Sequence, residues 1–257
     1  MKFNNINVYI SPHAKLGNNV KVGDNSVIYD NVEIGDNSII ANNCVIGEPQ
    51  TDYYHKKTYI NPVTSIGSNS LIRSHGIIYA GCEIGNEFST GHRVTIRENS
   101  KIGKNCRIGT LCDLQGNLTI NDFVWLHSNV HVGQNTILHS YVFVYPYVIF
   151  TNDPRPPSSD VFGAEIGEFT QIAVNSVVLP GVKIGKHCLI GANSLVSKNC
   201  EDFSLVHGSP AKVIKDVREI KGDDGQLLYP WPLRFDRGMP WEGLGYEKWK
   251  EEYDTIS

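Results

Sequence analysis

Residues 15–50 read KLGNNVKVGDNSVIYDNVEIGDNSIIANNCVIGEPQ, and an aliphatic side chain returns at every sixth position: Leu16, Val22, Ile28, Ile34, Ile40 and Ile46. A period of six matches neither an amphipathic helix nor a long alternating strand. It fits a very short strand followed by a tight corner. The positions one and three residues after the aliphatic are rich in Gly and Asn, which tolerate the unusual φ values of tight corners. The position four residues after it holds a small side chain that also points inward. Three such hexads close one triangular coil, and coils stack at roughly 4.8 Å, the strand-pairing distance. Each backbone then pairs with its neighbours, and the aliphatics form continuous internal ladders.

The register starts at Ile10, resumes at Ile66 and holds to Phe150, then runs from Ile166 to Val196. The 28 hexads predict an all-β parallel β-helix of about nine coils. Two insertions interrupt it, GEPQTDYYHKKTYINPVTS after Ile46 and TNDPRPPSSDVFGAE after Phe150, and their Pro, Asp and Ser mark them as loops. The predicted organisation is a β-helix domain over residues 1–209, with loops at about 48–64 and 151–165, and an extension over residues 210–257. That extension carries Trp231, Trp241 and Trp249, which predict packing on the solenoid or a neighbouring chain, with a short helix near YEKWKEEY.

Bulk composition narrows the function classes. A net charge of −4 and a pI of about 6.1 argue against a nucleic-acid polymer as partner. No apolar run approaches a membrane span and the N-terminus lacks a signal-peptide core, so the expectation is a cytoplasmic protein without membrane insertion. All six cysteines fall at the inward small position of the hexad, also used by Ser38, Ser70, Ser100 and Ser194, which reads as buried thiols.

Sorting the corners by their place in the coil gives three columns. The first (Gly67, Gly85, Gly103, Asn121, His139) and second (Tyr79, Arg97, Gln115, Gly133) hold mostly ordinary turn residues. The third reads Arg73-Ser74-His75, Gly91-His92-Arg93, Gly109-Thr110-Leu111, His127-Ser128-Asn129 and Tyr145-Pro146-Tyr147, then continues as Ala173-Val174-Asn175 and Gly191-Ala192-Asn193. A titratable stretch running into a smooth one suggests a reaction centre beside a groove for an extended ligand. In the same column Thr90 replaces an inward aliphatic. Both loops issue from the second column and could cover a neighbouring subunit's third column. His127, His131 and His139 lie close in sequence but leave the coil in different directions, so no metal is expected.

The runs IGDNSIIANNCVIG, KIGKNCRIG and IAVNSVVLPGVKIGKHCLIGANSLVSKNC…VHGSPAKVI resemble the left-handed parallel β-helix acyltransferases with hexapeptide repeats. The resemblance covers roughly residues 10–216. VFVYPYVIFTNDPRPP is similar to the subgroup that N-acetylates nucleotide-linked amino sugars for bacterial surface polysaccharides such as lipopolysaccharide O-antigen. The resemblance implies an acetyl-CoA-dependent homotrimer with active sites between subunits. Acetyl-CoA would lie on Ala173, Val174, Gly191 and Ala192, with Lys198, Lys212 and Lys215 as candidates to face its phosphates. The acceptor would be a dTDP-, UDP- or GDP-linked amino sugar. One departure stands out: several small-molecule O-acetyltransferases of this fold carry their catalytic histidine in a TxTHP-like loop, where this sequence has FTNDPRP and Asp153. That favours an amine acceptor.

For acyl transfer, the attacking nitrogen must lose a proton, and a histidine with a pKa near 7 suits that task. His127 is the candidate base, with Asn129 orienting it or holding the carbonyl. His92, Arg73 and Arg93 are candidates for sugar or pyrophosphate contacts, and Asn152 and Asp153 for the sugar or its amine. His139 precedes the YVFVYPY coil and is a further substrate candidate. Sugar O-acetylation is the alternative within the fold. A carbonic-anhydrase-like or non-catalytic hexapeptide protein is the alternative from another class.

Overall fold

The computed structural model describes residues 3–256. Each of the 28 hexads forms one strand, nearly all two residues long, because the corner consumes the other four positions. The strands stack into three sheets of ten, nine and eleven strands, in which the 28 hexad strands each pair in parallel with the strand a full coil away. In the ten-stranded sheet Ile78 lies opposite Ile96, and Ile96 opposite Leu114. The inward ladder through Ile28, Ile46, Ile78, Ile96, Leu114, Val132 and Phe150 is fully buried. Each such side chain contributes about 1.5–3 kcal/mol relative to exposure. This is the expected β-helix, and the two loops occupy the gaps between strands Val45–Glu48 and Thr64–Ile66, and between Ile149–Phe150 and Glu165–Ile166.

The corner chemistry explains the repeat. The third residue after each aliphatic adopts a left-handed conformation, as at Asn37 (φ 58°) and Asn129 (φ 60°), where Asn is tolerated best after Gly. The residue that follows turns inward, and where it is Ser, Thr or Cys it donates to a corner carbonyl, in its own coil at some positions, Ser100 among them, and in the next coil at others. Ser26 Oγ donates to the Ala41 carbonyl (2.9 Å), and Cys106 Sγ to that of Asn121 (3.0 Å). The six thiols are buried and free, and burial pushes those of Cys82, Cys106 and Cys188 up to about 12. They are therefore protonated donors, inert as nucleophiles.

Beyond Val196, strand Ser204–Gly208 joins the eleven-stranded sheet and turns back antiparallel as Ala211–Asp216. This hairpin straddles residue 209, where the repeat-based division falls, because the last parallel strand needs no hexad to continue the sheet. The remaining chain folds back over its own solenoid. Trp231 and Trp241 are buried with Phe123, Tyr141, Phe143 and Phe169, and Trp231 Nε1 donates to the Phe169 carbonyl at 2.8 Å. A terminal helix, α1 (Tyr246–Ile256), completes the cluster. Among the described residues, no helix is long and apolar enough to cross a membrane.

Candidate functional site on the third edge

The three columns become three edges of the solenoid, and the third joins the eleven-stranded sheet to the ten-stranded one. His127 stands there directly after strand Trp125–Leu126. Its backbone is fixed by its N–H donating to the Val144 carbonyl (2.8 Å) and by Cys112 Sγ donating to its own carbonyl (3.0 Å). The corner beneath must be glycine: a Cβ at Gly109 would sit 2.4 Å from the His127 carbonyl carbon.

The imidazole lies flat on the Tyr145 ring, 4.9 Å between centroids and 10° between planes. Neither ring nitrogen hydrogen-bonds to a described residue. The residue keeps substantial solvent exposure, yet the stacked side loses enough water to lower its pKa below 6.5. The Tyr145 ring covers one face of an otherwise exposed imidazole, and a ring covered on one side is the less easily charged. At neutral pH the imidazole is an unengaged proton acceptor.

A cavity of about 340 Å³ opens beside it, lined by His127, Ser128, Arg73, Thr90, Arg107 and Trp125 among others. Thr90 shapes one wall. It is buried where the repeat calls for an aliphatic, and its Oγ1 accepts from the Arg73 N–H at 2.9 Å. The strand pairing there keeps only Ser89 opposite Leu71, because the Thr90 hydroxyl takes the place of a backbone carbonyl in the ladder beside the cavity.

Of the residues singled out in the sequence, Arg73 and His127 share this cavity. Arg93 and Asn129 stand on the same edge as left-handed corner residues (φ 55° and 60°), which gives Asn129 a sufficient backbone role. His92 is also there, exposed, with Nδ1 2.8 Å from Ser74 Oγ. Ala173, Val174, Gly191 and Ala192 continue the edge as a low surface from which Val174 alone of the four is well exposed, at 41%.

Other candidates lie elsewhere on the chain. His139 is on the first edge with Nε2 3.2 Å from Glu165 Oε1, and Lys183 bonds the same carboxylate at 2.9 Å. His131 is on the ten-stranded face, 3.2 Å from Asp113. Lys198, Asn152 and Asp153 belong to the second edge. The Asp153 carboxylate accepts from Ser158 N–H (2.8 Å), Ser158 Oγ (2.6 Å) and Arg155 N–H (2.9 Å), and these bonds hold its pKa below the usual range. Among the described residues, no three His, Cys, Asp or Glu come together as metal ligands.

Sequence reasoning missed Tyr145 as the platform under His127, and Arg107 and Trp125 as cavity walls. Each of the latter two precedes an inward aliphatic by one residue, the outward strand position, and that signal was available.

The family model described as bacterial transferase hexapeptide (six repeats) matches residues 7–48 and 163–198. Those two stretches therefore carry the hexapeptide repeat of that model, on the parallel β-helix described above. Chloramphenicol acetyltransferase of Morganella morganii is 29% identical over 124 residues, covering 44% of this chain and 58% of that protein. The 2,3,4,5-tetrahydropyridine-2,6-dicarboxylate N-acetyltransferase of Staphylococcus aureus (strain JH9) is 29% identical over 100 residues, 39% of this chain and 36% of that one. The chain therefore spans well under two thirds of these relatives. Among solved structures, a UDP-N-acetylglucosamine acyltransferase from Bacteroides fragilis 9343 superposes with a TM-score of 0.49 at 20% identity, covering 84% of this chain and 74% of that one.

Proposed function

We propose that the protein is an acetyl-CoA-dependent acyltransferase in which His127 is the general base, and that a hydroxyl of a nucleotide-linked sugar is its favoured acceptor. The observation that carries this reading is the His127 imidazole itself: covered on one face by Tyr145, without a hydrogen-bond partner among the described residues, and lowered in pKa by burial. A hydroxyl attacks a thioester carbonyl only as its proton leaves, so it needs a base that is neutral at working pH. An unengaged ring nitrogen would take that proton as the new C–O bond forms and the thiolate departs. An amine is the stronger nucleophile and asks less of the base.

The sequence departure at Asp153 bears on the acceptor less than the motif suggested. Its carboxylate is engaged within its own loop, on a different edge from His127. The amine reading keeps the support of the VFVYPYVIFTNDPRPP resemblance and of the Staphylococcus aureus N-acetyltransferase.

The low surface at Ala173, Val174, Gly191 and Ala192 suits the thin, extended arm of CoA, since none of the four bears a long side chain, and the His207 imidazole bounds it beside Gly191. In the proposed homotrimer, the second-edge loop with Asn152 and Asp153, together with Lys198, would come from the neighbouring subunit onto this third edge. That would complete the site around His92, Arg93 and Asn129.

The experiment is thiol release from acetyl-CoA against dTDP-, UDP- and GDP-linked sugars bearing free hydroxyls or a free amine, with mass identification of the product. An O-acetylated product supports the favoured reading, and an N-acetylated one the amine reading. Absence of acceptor-dependent thiol release across the panel would remove acyl transfer from consideration.

A further inference from the structure

Arg107 was not among the candidates drawn from the sequence, and nothing in the repeat requires it. It leaves strand Arg107–Ile108 outward, onto the face that runs into the third edge. Its guanidinium lies 3.9 Å over the Trp125 ring. The C-terminal extension closes over the pair at Gly238, whose φ is 73° and where a Cβ would fall 2.6 Å from Arg107 Nη2 and 3.3 Å from Trp125 Cζ2. The left-handed backbone there favours glycine, and a Cβ would push the tip of the Arg107 side chain aside.

The guanidinium is thus held against Trp125 and partly stripped of water, yet it forms no ion pair among the described residues. Two charged groups of the extension reach it electrostatically, Arg237 and Glu242. Burial and Arg237 lower its pKa, while Glu242 opposes them. The Glu242 carboxylate accepts from the Gly238 N–H at 2.8 Å and forms no direct bond to the guanidinium. Removing a guanidinium from water without a directly bonded carboxylate is costly, and no hydrogen bond among the described residues takes up its five N–H donors. Arg107 and Arg73 both line the cavity that holds His127. With Arg237 and Glu242 counted, the surroundings carry a net charge of about +2, which suits a multiply charged anion better than a single carboxylate.

We propose that Arg107, held on Trp125 by the C-terminal extension, is the anion-recognition residue of this cavity and selects acceptors that carry a phosphate or diphosphate. The inference rests on the acyl-transfer reading only in treating the cavity as the acceptor side. The extension then has a functional task beyond covering aromatic surface, because it forms the clamp that aims the guanidinium.

The test is equilibrium binding of inorganic pyrophosphate to the full-length protein by calorimetry, with malonate as the carboxylate control. The variants are Arg107→Met, Arg107→Lys and Gly238→Ala, each checked for fold by circular dichroism and thermal melting. Arg107→Met should weaken pyrophosphate binding about tenfold or more, the scale of a lost charge-assisted contact. Arg107→Lys should recover only part, since it keeps the charge and loses the planar fork. Gly238→Ala should weaken binding with all charges intact, a result that a purely electrostatic role would not give, and it carries the test if Arg107→Met fails to fold.

Unchanged binding in Arg107→Met, absence of wild-type binding, or a preference for malonate would each overturn the proposal. Arg107-dependent pyrophosphate binding without thiol release for any acceptor would sink the acyl-transfer reading alone. Thiol release with an unchanged KM in Arg107→Met would sink this inference alone.

Discussion

Along the first edge, Phe123, Tyr141, Phe169, His187 and Phe203 occupy successive left-handed corner positions and stack ring on ring, with centroids 4.7–5.3 Å apart. Along the third edge, His75, Arg93, Leu111, Asn129 and Tyr147 hold the equivalent positions and form no such stack, while His127 and Tyr145 pair two residues earlier in their corners. The backbone is the same on both edges. The C-terminal extension seals much of the first with Trp231, Trp241 and Tyr246, and leaves the His127 corner of the third open. The contrast shows in two histidines. His187, held between Phe169 and Phe203, has a buried Nδ1 without a partner, and burial pushes its pKa down to about 4. His127 is covered on one side and lowered only modestly. Cover, more than corner geometry, separates a packing histidine from one able to exchange protons.

The largest effect expected from breaking this contrast is on the sealed edge. Trp241→Ala removes a fully buried indole from the centre of the aromatic cluster and should destabilise docking of the extension by about 3–5 kcal/mol. Denaturant melts and limited proteolysis would show it as early release of residues beyond 216. On the open edge, His127→Asn should lower turnover about 100-fold, or roughly 2.7 kcal/mol of barrier, with little change in melting temperature.

A third prediction concerns pH. Because the His187 folded pKa lies below its unfolded value of 6.5, falling pH charges the unfolded chain first. Stability is therefore unaffected above about 6.5 and is lost progressively between about 6.5 and 4. His187→Phe, which repeats the side chain found in the corners on either side, should flatten that slope in melts run across the window. The smallest effect belongs to Cys112→Ser. Serine occupies the same inward position in other hexads and can make the same bond to the His127 carbonyl, so stability should change by under about 1 kcal/mol.

How much of this was legible follows from the repeat. A strict hexad fixes which residue faces inward, which turns the corner and which edge that corner joins, so the β-helix, the buried cysteines and the separation of His127 from His131 and His139 could be read from spacing alone. Thr90 was visible as a fault in the ladder beside the site. The repeat is silent on outward positions, where contacts depend on what folds over them. Arg107 and Trp125 matter because a segment more than a hundred residues later returns to cover them, and no local pattern encodes that return. The tryptophans of the extension announced burial without naming a surface. His127 could be ranked first from its column, but its distinguishing property, a neutral ring on Tyr145 without a partner, required coordinates.

The central claim is that His127 acts as a neutral base on an open edge, and the pH dependence of kcat/KM for the best acceptor tests it most directly. The account predicts an acid limb of slope near one, with full activity above it and loss as pH falls through a value below 6.5, and no such limb in His127→Asn. A wild-type profile without that limb, or an identical limb in the variant, would contradict it.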